Sequence, residues 1–220
     1  MSAPDDVVFL VDVDNTLLDN DAVIVELRHQ LAERFGPGCE QRYWEIFEQL
    51  RDELGYADYL GALQRYRVER PREPYVLQIG VYLLQYPFAD RVYPGALETI
   101  GRLRARGPVV ILSDGDVVFQ PRKIERSGLW AAVDGRVLIY IHKEEMLADV
   151  EARYPGRRYV MVDDKVRILA AMKAVWHDRL TTVFVRQGHY AHDASLVASY
   201  PPADVTVERI ADVAGLADRL

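Results

Sequence analysis

Five short runs of apolar, mostly β-branched residues constrain most strongly how this chain can fold. Stretches with helical periodicity separate the later runs, at about 95–105, 117–127, 143–153 and 166–176. Continuous apolar runs of this length are typical of parallel strands that are buried on both faces. The alternation of strand and helix therefore predicts an α/β fold with a doubly wound, mainly parallel sheet. The runs lie at residues 7–11, 109–112, 137–141, 159–162 and 182–185, and a short edge strand near 205–207 with a closing helix is expected to follow.

Residues 20–90 interrupt this alternation, because they contain no convincing strand. Amphipathic helical stretches at 22–35, 39–54, 56–68 and 75–86 are separated by glycine and proline, which stop and start helices. We therefore predict an inserted all-helical domain at 20–90. The α/β core would consist of residues 1–19 and 91–220.

Composition narrows the classes of partner and compartment. The chain has 220 residues and a net charge of −7, so it lacks the positive charge that draws proteins to nucleic acid. No apolar run approaches the roughly 18 to 20 residues that span a bilayer, and the first residues do not resemble a signal peptide. The single cysteine, Cys39, excludes an internal disulfide. We expect a cytoplasmic protein without nucleic-acid or membrane partners, and its oligomeric state is left open.

Pairs of acidic residues follow two of the predicted strands. Asp12 and Asp14 come directly after the first run, and Asp163 and Asp164 end the fourth. In an open α/β sheet ligands bind at the carboxyl ends of the strands. Carboxylates that lie so close repel one another unless a cation compensates, and magnesium prefers such oxygen ligands. The alternative is structural, since aspartates also cap turns and helices.

Two further strand ends carry residues suited to an anion. Ser113, Asp114 and Gly115 follow the second run, where a hydroxyl and free backbone N–H groups could bind phosphate oxygens. Lys143 follows the third run and could neutralise a phosphoryl group. Lys123 is the competing lysine, but it lies within a predicted helix and is ranked lower. The structural alternatives are an ordinary turn with a helix cap for Ser113, Asp114 and Gly115, and a solvated surface charge for the lysine.

In this order the motifs resemble those of the haloacid dehalogenase (HAD) superfamily. The resemblance covers the predicted α/β part of the chain, and the helical insertion lies where the superfamily carries a C1 cap between its first and second motifs. The match is specific in motifs I and IV and looser in II and III. The residues that carry it are Asp12, Asp14 and Thr16 in motif I, Ser113 in motif II, Lys143 in motif III, and Asp163 and Asp164 in motif IV.

The resemblance implies a magnesium-dependent phosphatase for a small phosphorylated metabolite. Asp12 would form an aspartyl-phosphate and Asp14 would act as acid and base. Mg²⁺ would be held by the Asp12 carboxylate, the Asp14 carbonyl and Asp164, with Asp163 as an outer or second ligand. Phosphoryl oxygens would be bound by Lys143 and by motif residues Thr16, Ser113, Asp114 and Gly115.

The chain departs from the superfamily pattern in motif II, where Asp114 replaces the usual Asn and Asp116 follows. Two extra acids near a phosphate are unfavourable unless they point away from it. Three alternatives stay open: a phosphomutase-like enzyme, a 2-haloacid dehalogenase, and a non-enzymatic descendant that binds a ligand or partner. Dehalogenation fits less well, because superfamily dehalogenases lack the second motif I acid and use no magnesium.

Overall fold

The computed structural model describes residues 5–217 and residue 219. Its centre is a six-stranded sheet in which all neighbouring strands are parallel, in the order β3-β2-β1-β4-β5-β6. The α/β fold predicted from the apolar runs is confirmed. The strands are β1 (Asp5–Val11), β2 (Val109–Asp114), β3 (Val137–Tyr140), β4 (Gly156–Asp163), β5 (Leu180–Val185) and β6 (Val205–Val207).

Apolar side chains cover both faces of the central strands, which explains their uninterrupted hydrophobic sequences. In β1, Phe9 and Val11 belong to one buried cluster, whereas Val8 and Leu10 belong to another on the opposite face. Successive side chains of a strand point to opposite faces, so a strand buried on both sides has no position for an exposed polar residue. The first cluster continues without a break into the helical insertion.

Twelve α-helices are present among the described residues, and four of them form the insertion. The insertion helices are α1 (Asn20–Phe35), α2 (Pro37–Leu54), α3 (Tyr59–Glu69) and α4 (Val76–Gln85). The core helices are α5 (Ala96–Arg104), α6 (Phe119–Arg126), α7 (Leu129–Ala132), α8 (Leu147–Arg153), α9 (Val166–Trp176), α10 (Gly188–His192), α11 (Ala194–Ala198) and α12 (Ile210–Val213).

The helical insertion forms a cap over the carboxyl ends of the strands. One contact between cap and core is aromatic: the ring of Tyr59, at the start of α3, stacks on Phe119 of α6 with centroids 4.4 Å apart. The Asp19 side chain accepts a hydrogen bond from the Ala22 N–H and so begins α1. The boundaries 20–90 remain a prediction, and residues 1–4, 218 and 220 of the predicted core lie outside the described residues.

Three short helices had no counterpart in the sequence prediction: α7, α10 and α11. Each has only four or five residues, too few for an apolar face to repeat. α11 is begun by Asp193, whose side chain accepts hydrogen bonds from the N–H groups of Ser195 and Leu196. Separately, no helix among the described residues has the length and apolar character needed to cross a bilayer.

Gly107 offers a test of how tightly the sheet is packed beside β2. A Cβ at this position would lie 2.3 Å from the carbonyl oxygen of Val7, a backbone atom that cannot move without shifting β1. We expect Gly107→Ala to lower the free energy of unfolding by about 1–3 kcal/mol. Gly101→Ala is the matched control, because nothing lies within 4 Å of its Cβ. Gly101 lies on the exposed face of helix α5, where the control should stabilise the fold by roughly 1 kcal/mol. Equal urea midpoints for the two variants would contradict this packing.

Candidate active site

Lys143 and Asp12 form the innermost pair of the site. Asp12 directly follows β1, and its backbone N–H extends the sheet by donating to the Val162 carbonyl. Lys143 follows β3 at the start of a single 3₁₀ turn, Lys143–Glu145. The Lys143 ammonium lies 2.5 Å from Asp12 Oδ1, and both side chains are buried. The predicted strand-end position of Lys143 is therefore the position that reaches Asp12.

A second carboxylate shares the same ammonium group. Asp163 Oδ2 lies 2.7 Å from Lys143 Nζ, which also donates to the Leu112 carbonyl at 3.3 Å. Burial by itself lowers the pKa of Lys143, but the neighbouring charges of Asp12, Asp163 and Asp114 more than offset it and raise that pKa. Lys143 is consequently a permanent cation that offsets the charge of the acids around it.

Asp12, Asp163 and Asp164 form a buried acidic cluster, with one oxygen from each within 4.8 Å of the others. Both carboxylate oxygens of Asp164 are buried without any hydrogen-bond partner. Burial raises the pKa of Asp12 to about 7 against the opposing effect of Lys143, and it raises the pKa of Asp164 well above its usual range. Unpartnered buried oxygens of this kind are the donors that a hard cation prefers, so the cluster fits Mg²⁺.

Asp14 has a different environment from Asp12. Its Oδ1 lies 2.7 Å from the Lys123 ammonium, and its Oδ2 accepts a hydrogen bond from the Gln120 side-chain amide at 3.2 Å. About a quarter of the Asp14 side chain (27%) remains exposed, whereas Lys123 is almost fully buried. Lys123 does not approach Asp12 as Lys143 does. Lys123 was ranked below Lys143 because it lies within a helix, but it nevertheless reaches the site through its contact with Asp14.

The motif II residues are partly occupied by contacts within the protein. Ser113 Oγ accepts a hydrogen bond from Gln120 at 3.0 Å. The Asp114 carboxylate accepts from the Lys143 backbone N–H at 2.8 Å, and Asp116 accepts from two backbone N–H groups at the start of α6. The two acids that depart from the superfamily pattern thus hold the 3₁₀ turn that carries Lys143 and the start of α6.

Gly115 and Thr16 are less accessible to a phosphoryl group than the sequence suggested. The Gly115 N–H donates to the Tyr140 carbonyl at 2.9 Å, so the expectation of a free backbone N–H for phosphate is not met at this residue. Thr16 is fully buried, and its hydroxyl has no hydrogen-bond partner. Its carbonyl accepts from the Gln187 side chain at 3.2 Å, which ties the loop after β1 to the segment after β5.

A cavity of about 290 Å³ lies between the cap and the carboxyl ends of the strands. Asp14 and Asp114 reach it from the core, and Phe47, Arg51 and Tyr59 reach it from the cap. Acidic, basic and aromatic groups therefore meet in one space that is large enough for a small metabolite.

Lys165 and Gln120 are site residues that the sequence analysis missed. Lys165 lines the cavity with its ammonium 5.0 Å from the Tyr190 ring centroid. Burial by itself lowers the pKa of Lys165, but the charges of Asp164 and the other cluster acids raise it above its usual value. The sequence could have indicated Lys165, because it directly follows Asp164 and so lies at the carboxyl end of the same strand, β4. Gln120 had no comparable signal, since it lies one helical turn beyond the motif.

A family model described as a haloacid dehalogenase-like hydrolase matches residues 7–175. No curated protein matches the chain. Among solved structures, a haloacid dehalogenase-like hydrolase from Burkholderia xenovorans LB400 is 67% identical and has a TM-score of 0.92. That match covers 96% of this chain and 98% of the other.

Two more distant structures share the fold. The L-2-haloacid dehalogenase from Xanthobacter autotrophicus, solved with chloropropionic acid covalently bound, is 17% identical at a TM-score of 0.64, covering 96% of this chain and 98% of the other. The HAD-hydrolase YfnB from Bacillus subtilis, solved bound to magnesium, is 16% identical at a TM-score of 0.61, covering 97% and 99%. At these identities the likeness extends to the fold alone.

The raised pKa of Asp12 has a consequence for stability in the absence of metal. A carboxyl group whose folded pKa lies near 7 and whose ordinary value is 3.8 favours the folded state fully below about pH 4. That contribution is lost as the pH rises through about 7. With a chelator present, we therefore expect the free energy of unfolding to fall by on the order of 2 kcal/mol between pH 5 and pH 8.

Urea denaturation at several pH values measures this change, and Asp12→Asn provides the comparison. The variant should show a smaller fall, because the amide does not titrate. An equal fall in wild type and variant would assign the pH dependence to groups other than Asp12.

Proposed function

This chain belongs to the haloacid dehalogenase-like hydrolase family, and on that premise we propose that it is a magnesium-dependent phosphoric monoester hydrolase for a small phosphorylated metabolite. One observation carries the proposal. A second motif I acid, Asp14, reaches the cavity beside an acidic cluster in which both Asp164 oxygens lack a partner. Dehalogenation requires neither a second acid nor a metal, whereas phosphoryl transfer uses both.

In this proposal Asp12 is the nucleophile. One of its carboxylate oxygens forms a bond to phosphorus while the ester P–O bond breaks, which leaves an aspartyl-phosphate on the chain. The Lys143 ammonium, 2.5 Å from Asp12, orients the attacking carboxylate and offsets the negative charge that accumulates on the phosphoryl oxygens. Ser113 lies near the carboxyl end of β2, the strand next to β1, and we assign its hydroxyl to a phosphoryl oxygen.

Asp14 handles the proton in both steps. It gives a proton to the ester oxygen as the alcohol leaves, and it takes one from the water that then attacks phosphorus and frees Asp12. Its position on the cavity wall suits this role, because the leaving group must extend away from the buried cluster toward the cap.

We assign the metal to Asp12, Asp164 and the Asp14 carbonyl. Asp164 is the direct motif IV ligand, since its oxygens are unpartnered, and Asp163 is the outer acid because Lys143 and the Lys165 N–H engage it. When bound there, Mg²⁺ would supply charge stabilisation for the phosphoryl oxygens.

The second candidate function is 2-haloacid dehalogenation. The buried Asp12–Lys143 pair could equally serve a nucleophile that attacks carbon, and several structures with this fold are named L-2-haloacid dehalogenases. Release of halide from 2-chloropropionate without metal would favour this function over phosphate release. Phosphoryl transfer between two substrate positions would indicate a mutase, and ligand binding without turnover would indicate a non-enzymatic protein.

Asp12→Asn tests the nucleophile. We expect phosphate release from an aryl phosphate with Mg²⁺ to fall by roughly 10³-fold or more, because the amide cannot form the covalent intermediate. Phosphate release with a colorimetric assay measures the loss. Asp178→Asn is the matched control: this aspartate is exposed and lies directly before β5, at the end of the sheet opposite the strand carboxyl ends, so its substitution should leave the rate unchanged. Full activity of Asp12→Asn would overturn the mechanism.

Asp164→Asn tests the metal assignment separately from the nucleophile. Because the variant removes a charged ligand, the Mg²⁺ concentration for half-maximal activity should rise by roughly tenfold or more. Calorimetric titration of the protein with Mg²⁺ measures the same change without turnover. Unaltered Mg²⁺ binding by the variant would exclude Asp164 as a direct ligand.

A further inference from the structure

Lys123 is an unusual residue for its place in the fold. It lies in α6, one helical turn after Gln120, and only 1% of its side chain is exposed. Lysines are rarely buried to this degree unless they are paired. Among the described residues, Asp14 is the carboxylate within salt-bridge distance of its ammonium, at 2.7 Å. The charge of Lys123 is therefore directed at the residue assigned above to proton transfer.

The two residues of α6 hold both oxygens of the Asp14 carboxylate. Lys123 contacts Oδ1 and Gln120 contacts Oδ2, so rotation of the carboxylate would break one contact or the other. Residues three apart on a helix lie on the same face, which explains how one helix supplies both contacts. Gln120 also donates to the hydroxyl of Ser113 in β2, which links the orientation of Asp14 to that hydroxyl.

The cap contributes to the same arrangement. Lys123 Nζ donates to the side-chain oxygen of Asn20 at 3.0 Å, and Asn20 is the first residue of cap helix α1. The ammonium also lies 5.5 Å and 5.8 Å from the ring centroids of Phe119 and Tyr59. Lys123 thus contacts Asp14 in the loop after β1, Phe119 of its own helix, and Asn20 and Tyr59 of the cap. The cap contacts require the cap to be positioned as it is in this structure.

We propose that Lys123 is a positioning residue that, with Gln120, holds the Asp14 carboxyl group in the orientation that faces the leaving group. The inference rests on the proposed function, because it presumes that Asp14 transfers a proton. If Lys123 served only to hold α6 against the loop after β1, its loss would lower activity equally for all substrates.

Leaving-group dependence separates these two roles. Departure of p-nitrophenolate needs little help from an acid, whereas departure of an alkoxide from glycerol phosphate needs a proton in the same step. We expect Lys123→Met to lower kcat/KM for glycerol phosphate at least roughly tenfold more than for p-nitrophenyl phosphate. Lys123→Arg, which keeps the charge, should restore part of the difference.

Two further variants complete the test. Gln120→Leu keeps the ion pair and removes the contact with Asp14 Oδ2 together with the hydrogen bond to Ser113, so it reports on the positioning of Asp14 even where Lys123→Met fails to fold. It should change the same ratio in the same direction. Lys173→Met is the matched control, since Lys173 pairs with Asp204 away from the cavity and its loss should leave the ratio unchanged.

The outcomes are distinct. Equal losses on both substrates, in whichever of Lys123→Met and Gln120→Leu folds, would overturn the positioning role and leave the proposed function standing. A wild-type enzyme that hydrolyses neither phosphate ester nor any other phosphomonoester would overturn the proposed function itself. A selective loss on glycerol phosphate that Arg partly restores supports the proposal.

Discussion

The Lys143 ammonium is the charge on which the rest of the site depends. Asp12 and Asp163 lie within 2.7 Å of it, and Asp164 belongs to the same buried cluster. Three carboxylates could not share so small a buried volume without a counter-charge, because repulsion and the loss of hydration would both act against folding. Lys143 offsets part of that charge. Burial, with a smaller effect of the neighbouring carboxylates, raises the pKa of Asp12 and Asp164, and the charge that Lys143 does not offset makes the cluster suitable for a cation.

Sheet topology brings these groups together from distant parts of the chain. The order β3-β2-β1-β4 places four strand ends side by side, and they carry Lys143, Ser113, Asp12 and Asp163 respectively. Parallel strands all end at the same edge, so residues separated by more than a hundred positions meet there. The acids of motif II serve this arrangement indirectly: Asp114 accepts from the Lys143 backbone and so helps to hold the turn from which the lysine reaches Asp12.

A second lysine–aspartate pair lies nearer the cap. Lys123 and Asp14 join the core to the beginning of α1, while Lys143 and Asp12 belong to the core alone. The two pairs divide the chemistry proposed for the site: bond formation at phosphorus would occur beside Lys143, and proton transfer would occur beside Lys123, where the cavity opens toward the cap. Specificity would then depend on cap residues such as Arg51 and Phe47, which line the same cavity.

The sequence by itself determined the strands, the helical insertion and most of the strand-end residues. Uninterrupted apolar runs identify strands buried on both faces. A residue that follows such a run must lie near the carboxyl end of its strand, as Asp12, Lys143 and Asp164 do. Short helices such as α10 are too short to show a periodic apolar pattern. The contact of Asp114 with the Lys143 backbone could not be predicted either, because it depends on the 3₁₀ turn after β3, which is distant from Asp114 in sequence.

Only the tertiary structure decided which lysine faces which aspartate. Sequence position favoured Lys143 because it follows a strand, but nothing local to Lys123 or Lys143 distinguishes a buried ion pair from a solvated charge. The packing of α6 under the cap buries Lys123 against Asp14, and the turn after β3 buries Lys143 against Asp12. Such pairings depend on the relative positions of distant elements, and those positions are determined by the core and the cap together rather than by local sequence.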